Sequence, residues 1–238
     1  MSARPFQLKE FRIEQDRCAM KVGTDGILLG AWVHIPQEAS KLLDVGTGSG
    51  LIAMQLAQRS SADSIDAVEL EPGAFEQAVT NFENSPWPDR LFCYHASFQE
   101  FATEVDETYD LIVSNPPFYT DTFKELKNER AAARHAQSLP FEELLRGTEK
   151  LLSKGGTCAF VLPYREECFF IDLAERSGLY PSRITRVKGS PQSETKRSLL
   201  QFSRDRKSPN PEMLVIEEKR HQYTAAYREL VRDFYLNM

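Results

Sequence analysis

Four consecutive residues, Asn115-Pro116-Pro117-Phe118, carry the most specific chemistry in this chain, and they follow the apolar run Tyr109-Asp110-Leu111-Ile112-Val113-Ser114. The side-chain amide oxygen of Asn115 and the main-chain carbonyl of Pro116 can both accept hydrogen bonds from one planar amino group. That grip returns electron density to a nitrogen whose lone pair is tied up in conjugation, without removing a proton first. It suits methyl transfer to nitrogen. The prolines hold φ at about −65° and leave no competing N–H, and Phe118 offers a flat face to an aromatic ring. Asn-Pro-Pro is also ordinary turn chemistry, so the surroundings must decide between the two readings.

Upstream, the strand-like Lys41-Leu42-Leu43-Asp44-Val45 runs into Gly46-Thr47-Gly48-Ser49-Gly50, and the turn opens a helix-like stretch from Leu51 to Arg59. Strand, glycine turn and helix together form the layout of a nucleotide-type cofactor site in a doubly wound sheet. Glycines at alternate positions let backbone approach a ligand closely. The Gly-x-Gly-x-Gly spacing disfavours a pyrophosphate seated on the helix N-terminus. A second apolar run, Ser64-Ile65-Asp66-Ala67-Val68, ends at Glu69, 19 positions past Gly50. A carboxylate there stands at the tip of the next parallel strand, where it can accept from both hydroxyls of a ribose. Asp44, Gly46, Gly48, Gly50 and Glu69 fit a methionine-plus-adenosine cofactor better than a dinucleotide.

These residues need a scaffold, and the rest of the pattern supplies one. Leu91 to His95 reads as a third strand, Pro140 to Leu152 as a helix, Thr157 to Leu162 as a strand and Arg165 to Gly178 as a helix ended by glycine. Arg183 to Lys188 and Ser198 to Ser203 read as an antiparallel hairpin at the sheet edge, joined by the polar segment Gly189 to Lys196. Pro209-Asn210-Pro211 is a linker or turn, and Gln222 to Leu236 a closing helix with Tyr223, Tyr227, Leu230, Val231 and Phe234 on one side. Near the N-terminus, Lys21 to Gly26 is a polar turn before the apolar helix Ile27 to Val33, which Thr24 or Asp25 can cap. Alternating strands and helices mean an α/β fold with a mostly parallel sheet and ligands at the carboxyl ends of its strands. The glycine turn and the Asn115 tetrapeptide both follow strands, so donor and acceptor would meet at that edge.

In this order, the glycine turn, the strand-end acid and Asn-Pro-Pro-Phe resemble class I S-adenosylmethionine-dependent N-methyltransferases over about residues 11–205. A narrower likeness lies in Asp16-Arg17-Cys18-Ala19-Met20-Lys21-Val22-Gly23-Thr24-Asp25-Gly26-Ile27-Leu28-Leu29-Gly30. That block is similar to the bacterial family that methylates N6 of adenine 37 in a valine tRNA. The resemblance implies a Rossmann-like domain over residues 1–238, with a seven-stranded, mostly parallel sheet, an antiparallel edge hairpin and helices on both faces. Residues 1–40 would cover the cofactor and residues 206–238 form an extension with the closing helix. It also implies S-adenosyl-L-methionine as cofactor. Lys21, Gly23, Thr24 and Asp25 would contact its methionine end or close the pocket, and Thr47, Ser49 and Asn115 complete the cofactor set. Where such enzymes usually place an aspartate for the adenine amino group, this chain has Ala96-Ser97-Phe98. Ser97 accepts without charge and is worth less than a carboxylate; Phe98 is a candidate to flank the adenine ring.

Lys124, Lys127, Arg130 and Arg134 begin just after the tetrapeptide, at spacings that align them on one helix face or string them along a loop. They are placed to reach phosphates flanking a target nucleotide, or they simply solvate a helix face. Arg134-His135 resembles the same family, and Tyr119 shares the stacking role with Phe118. The chain carries 29 Lys and Arg against 35 Asp and Glu, net −6. Residues 26–180 hold 12 basic and 24 acidic side chains, whereas residues 181–220 hold 10 and 5. Because screening acts over about 8–10 Å, a local positive face can serve phosphates on an anionic molecule; a solvated ribbon surface is the alternative.

With 238 residues and 41% hydrophobic content, the chain suffices for one well-buried domain. No apolar stretch of about 18 residues and no charged-then-apolar leader occur, so neither a membrane span nor export is expected. Cys18, Cys93, Cys158 and Cys168 show no Cys-x-x-Cys pairing and read as free thiols in a reducing cytoplasm. The four histidines are scattered and no metal is expected; a monomer is. The expected activity is transfer to adenine N6 in tRNA. The same tetrapeptide would also serve guanine N2 in ribosomal RNA or a glutamine amide in protein. A non-catalytic cofactor-binding scaffold is a further reading, although a scaffold has no use for a polarising amide.

Overall fold

The computed structural model describes residues 4–116 and 139–238. A short antiparallel pair, β1 (Phe6–Gln7) and β2 (Arg12–Ile13), precedes helix α1 (Thr24–Trp32). Strand and helix then alternate as β3 (Lys41–Val45), α2 (Leu51–Arg59), β4 (Ser64–Glu69), α3 (Pro72–Glu83), β5 (Leu91–His95), α4 (Phe98–Glu104) and β6 (Tyr109–Ser114). After the undescribed segment come α5 (Phe141–Leu151), β7 (Leu152–Pro163), a 3₁₀ turn (Tyr164–Glu166) and α6 (Glu167–Arg176). β8 (Tyr180–Lys188), β9 (Thr195–Ser203), β10 (Glu212–Val215), β11 (Glu217–Lys219), β12 (Gln222–Tyr223) and α7 (Ala225–Val231) complete the chain.

One sheet orders its strands β10-β8-β9-β7-β6-β3-β4-β5. From β7 to β5 the pairing is parallel throughout, and β9 runs antiparallel to both β7 and β8. The central strands read as near-continuous apolar runs because helices cover both faces. Side chains alternate between those faces. Leu42, Leu111 and Val113 join a core with Ile27 and Leu28 of α1, Ile52 and Met54 of α2 and Val231 of α7. Leu43, Val45 and Ile112 face the opposite core, with Phe101 of α4, Leu144 and Leu145 of α5 and Phe170 of α6. Each such buried side chain contributes about 1.5–3 kcal/mol, so the sheet centre is rigid where ligands would sit.

Three expectations need correction. The sheet has eight strands rather than seven, because Glu212–Val215 pairs in parallel with β8 directly after the Pro209-Asn210-Pro211 linker. The closing helix is one of seven residues, Ala225–Val231, since Gln222 and Tyr223 pair with β11 and the Thr224 hydroxyl accepts from Tyr227 N to start the helix. Neither Thr24 nor Asp25 caps α1; Gly23 occupies that position without a side-chain bond. The Asp25 carboxylate instead accepts from Arg197 Nε at 2.7 Å, drawn away by the stronger ionic partner.

Candidate active site

The parallel register between β3 and β6 sets Val45 opposite Ser114, and the Ser114 hydroxyl donates to the Val45 carbonyl at 2.8 Å. The glycine turn and Asn115 therefore leave adjacent strands at the same level. β4 brings Glu69 to that edge on the other side of β3. Thus the geometry joins the three features that the sequence carries separately.

Gly46, Gly48 and Gly50 all adopt positive φ, at 70°, 59° and 83°. At Gly50 a side chain is excluded by packing as well, because an added Cβ would lie 2.5 Å from the Phe82 ring. Around Gly46 and Gly48, by contrast, an added Cβ would meet nothing within 4 Å. That open space beside bare backbone leaves room for a ligand. The turn is held by Gly46 N and Thr47 N donating to the Val68 carbonyl, at 2.9 and 3.2 Å. Gly48 N donates to Glu69 Oε2 at 2.8 Å, and Glu69 Oε1 accepts from Glu71 N at 2.9 Å.

Asp44 sits under the turn with 0% exposure. Its Oδ2 accepts from the Thr47 hydroxyl at 2.6 Å and from Ala53 N at 3.1 Å, while Oδ1 is buried without a partner among the described residues. Burial, the dominant influence, pushes the carboxyl up to about 7; the two hydrogen bonds oppose it and the nearby Glu69 charge adds to it. The Asp44 carboxyl and the Glu69 carboxylate beside the open glycine turn would both be stabilised in their charged form by a cation there. Asn115 has the same incomplete satisfaction: its Oδ1 is buried and accepts no hydrogen bond among the described residues. A buried unpaired acceptor costs about 1–3 kcal/mol, and an incoming amino group would relieve that cost.

Ser97 heads α4 in a capping box: its hydroxyl accepts from Glu100 N and donates to Glu100 Oε2, and Ser97 N donates to the same carboxylate. The Phe98 ring is buried under α5, where an added Cβ on Gly147 would come within 2.5 Å of it. Lys21 donates from Nζ to the carbonyls of Gln15 and Cys18, closing the loop over residues 15–22. Gly23 and Thr24 are exposed beside it. Pro116 is buried next to Asn115. Pro117, Phe118, Tyr119, Lys124, Lys127, Arg130, Arg134 and His135 lie outside the described residues.

Two residues that sequence reasoning missed belong here. Asn81, 2% exposed on α3, accepts from Glu14 N and donates to the carbonyls of Glu14 and Ser49, strapping the N-terminal segment to the glycine turn. Its only signal was a polar residue on a buried helix face, four positions after Gln77, whose Oε1 accepts from Arg17 N. Leu70 follows Glu69 and is 44% exposed, an apolar surface at the edge where a flat ring would lie.

Part of the positive charge over residues 181–220 is tied up within the fold. Arg183 lies 4.6 Å over the Trp32 ring and donates to its carbonyl, Arg186 pairs with Glu167, and Arg204 pairs with Glu149 and donates to the Leu152 carbonyl. Among the described residues, no group of three or more His, Cys, Asp or Glu side chains could hold a metal, and no helix is long and apolar enough to cross a membrane.

This sheet order and site define a class. The family model described as "Methyltransferase small domain" matches residues 28–169. The fold is that of a predicted O-methyltransferase from Agrobacterium tumefaciens, with TM-score 0.69 at 20% identity over 88% of this chain and 96% of the other. A Pyrococcus horikoshii protein, TYW2 in complex with MeSAdo, gives TM-score 0.58 at 13% identity, over 83% and 69% of the two chains. The particular family follows from closer relatives. A Flavobacterium psychrophilum protein named tRNA1(Val) (adenine(37)-N6)-methyltransferase is 53% identical over 98% of this chain and 100% of its own. Proteins of the same name from Christiangramia forsetii and Bacteroides fragilis are 50% and 43% identical, each over 100% of both chains. The chain belongs to the tRNA1(Val) (adenine(37)-N6)-methyltransferase family.

Proposed function

We propose that the chain transfers a methyl group from S-adenosyl-L-methionine to the exocyclic N6 of an adenine in tRNA, at position 37 of a valine tRNA as its relatives are named. One observation carries this reading: Asn115, whose buried Oδ1 has no partner among the described residues, leaves its strand level with the glycine turn. S-adenosylmethionine supplies an electrophilic methyl on a positively charged sulfur. The residues present suit it, since open space flanks Gly46 and Gly48 and a buried, half-satisfied carboxylate lies beneath them.

In this reading Gly46, Thr47, Gly48, Ser49 and Gly50 line the cofactor with backbone, and Glu69 accepts from the ribose hydroxyls. Asp44 balances the positive charge, Leu70 and Ser97 border the adenine, and Lys21, Gly23, Thr24 and Asp25 close the methionine end. Asn115 Oδ1 and the Pro116 carbonyl accept the two hydrogens of the target amino group and aim its lone pair. Phe118 or Tyr119 holds the base, unstacked from a single-stranded loop at small expense, and Lys124, Lys127, Arg130, Arg134 and His135 meet the RNA backbone. No general base is required, because positioning and polarisation lower the barrier, and the proton leaves afterwards to water. Such an enzyme works in the cytoplasm on its tRNA.

The deciding experiment incubates the pure protein with labelled cofactor and, separately, total tRNA, ribosomal RNA, DNA and release-factor protein, followed by nucleoside mass spectrometry. Labelled N6-methyladenine in tRNA is expected. Label confined to ribosomal RNA or protein would overturn the assignment.

A further inference from the structure

Tyr164 follows the end of β7 and is 39% exposed, an unusual place for a large ring. β7 is the parallel neighbour of β6, with Phe160 opposite Ser114, and it continues three residues further to Pro163. At about 3.3 Å per residue this lifts the end of β7 about 10 Å beyond Ser114, one strand spacing to the side. Tyr164 therefore lies past the carboxyl end of the strand next to β6, at the same edge of the sheet as Asn115, with its ring turned toward β8. Beneath it the Arg186 guanidinium lies 5.3 Å from the ring centroid. Arg186 is itself fixed, donating from Nη2 and Nε to the buried Glu167 carboxylate at 2.7 and 3.1 Å, and Ser198 donates to the same carboxylate. Ser198 is the register partner of both Leu162 and Arg186, so this assembly lies level with the carboxyl end of β7.

A guanidinium bound in that way is not free to leave for a phosphate, and Arg165 next to the ring is paired with Glu166 at 3.3 Å. The local charges balance. What the arrangement presents to solvent is an aromatic ring seated on a rigid cationic base, and it does so at the carboxyl edge of the sheet that also carries Asn115. Flat, sequence-tolerant faces of this kind are what unstacked bases bind.

We infer that Tyr164 is a stacking platform for a nucleotide flanking the target adenine, positioned by Arg186 and Glu167. The inference rests on the RNA reading above. It specifies that the substrate is gripped at two bases, one at Asn115 and its neighbour at Tyr164, and that the second grip is aromatic rather than ionic.

The test measures tRNA affinity of the full chain carrying Tyr164→Ala, Tyr164→Leu or Tyr164→Phe, across a salt series, alongside cofactor affinity and melting temperature. Tyr164→Ala and Tyr164→Leu are expected to bind tRNA about tenfold or more weakly. Tyr164→Phe should stay within about twofold of the wild type, with cofactor affinity unchanged. Because no phosphate contact is lost, the slope of log affinity against log salt should be the same in all four proteins. Equal affinity of the leucine and phenylalanine variants would overturn the platform even if the alanine variant folded poorly, as would a shallower slope in Tyr164→Ala. Absence of methyl transfer to tRNA by the wild type would overturn the RNA reading itself; normal transfer with wild-type tRNA binding by Tyr164→Ala would overturn the platform alone.

Discussion

Gly48 donates its amide hydrogen to Glu69 Oε2 at 2.8 Å, so the turn after β3 and the acid closing β4 form a single unit. Glu69 both shapes the turn and presents the oxygen that would receive a ribose hydroxyl. We predict that Glu69→Ala weakens cofactor binding about tenfold or more, since hydrogen bonds to a charged group are worth about 1.5–3 kcal/mol each. Glu69→Gln should fall in between, since its amide oxygen can still accept from one of the two donors. Isothermal titration checks both, and an alanine variant within about twofold of the wild type would refute the role.

Asn115 offers a contrast between stability and activity. Its buried Oδ1 has no partner among the described residues, so removing the amide relieves a desolvation cost of about 1–3 kcal/mol. Asn115→Ala is therefore expected to melt no lower than the wild type and to rise by about 2–4 °C for each kcal/mol relieved. Turnover should nevertheless drop about 10²-fold or more, by analogy with loss of one preorganised polar contact, with cofactor affinity retained. A lower melting temperature, or an equal loss of cofactor affinity, would count against the assignment.

How much of this was legible in the sequence follows from which contacts are local. β3, β4 and β6 were readable because parallel strands buried on both faces appear as apolar runs, and the turn because its positive φ values require glycine. β10 was not: four residues with an exposed Met213 become a strand only by pairing with β8, a contact that local pattern leaves invisible. Ser97 could have been read as a cap from the Ser-x-x-Glu spacing to Glu100. Counting charges over 181–220 overstated the free positive surface, because Arg183, Arg186 and Arg204 are held by tertiary partners.

Asn81 belongs to the same illegible class. With Glu14 on one side and Ser49 on the other, its side chain is the link through which the N-terminal segment braces the glycine turn. Asn81→Ala removes the partner of one buried backbone group, the Ser49 carbonyl, and of two half-buried ones at Glu14, and should lower stability by about 2–4 kcal/mol. Cofactor affinity should fall with it. Asn81→Asp tests the geometry, since it keeps the acceptor for Glu14 N and loses both donors. Chemical denaturation is the measurement, and a change below about 0.5 kcal/mol in the alanine variant would show the strap to be dispensable.

Asp44 makes the site pH-sensitive, and the sign is fixed by burial. Its carboxyl is raised to about 7 in the folded chain, against about 3.9 when unfolded. Between those values the folded chain holds a proton that the unfolded chain has released, so stability falls as pH rises across the window and is level above it. Asp44→Asn cannot titrate there. Its melting temperature relative to the wild type should climb from about pH 4 to pH 7 and then stay constant. Cofactor binding reverses the balance, because a sulfonium nearby favours the carboxylate. Binding at pH 6 should therefore release a proton, seen as a dependence of the heat of binding on buffer ionisation enthalpy, and affinity should weaken as pH drops below 7. Proton uptake on binding would mean that the positive sulfur lies away from Asp44.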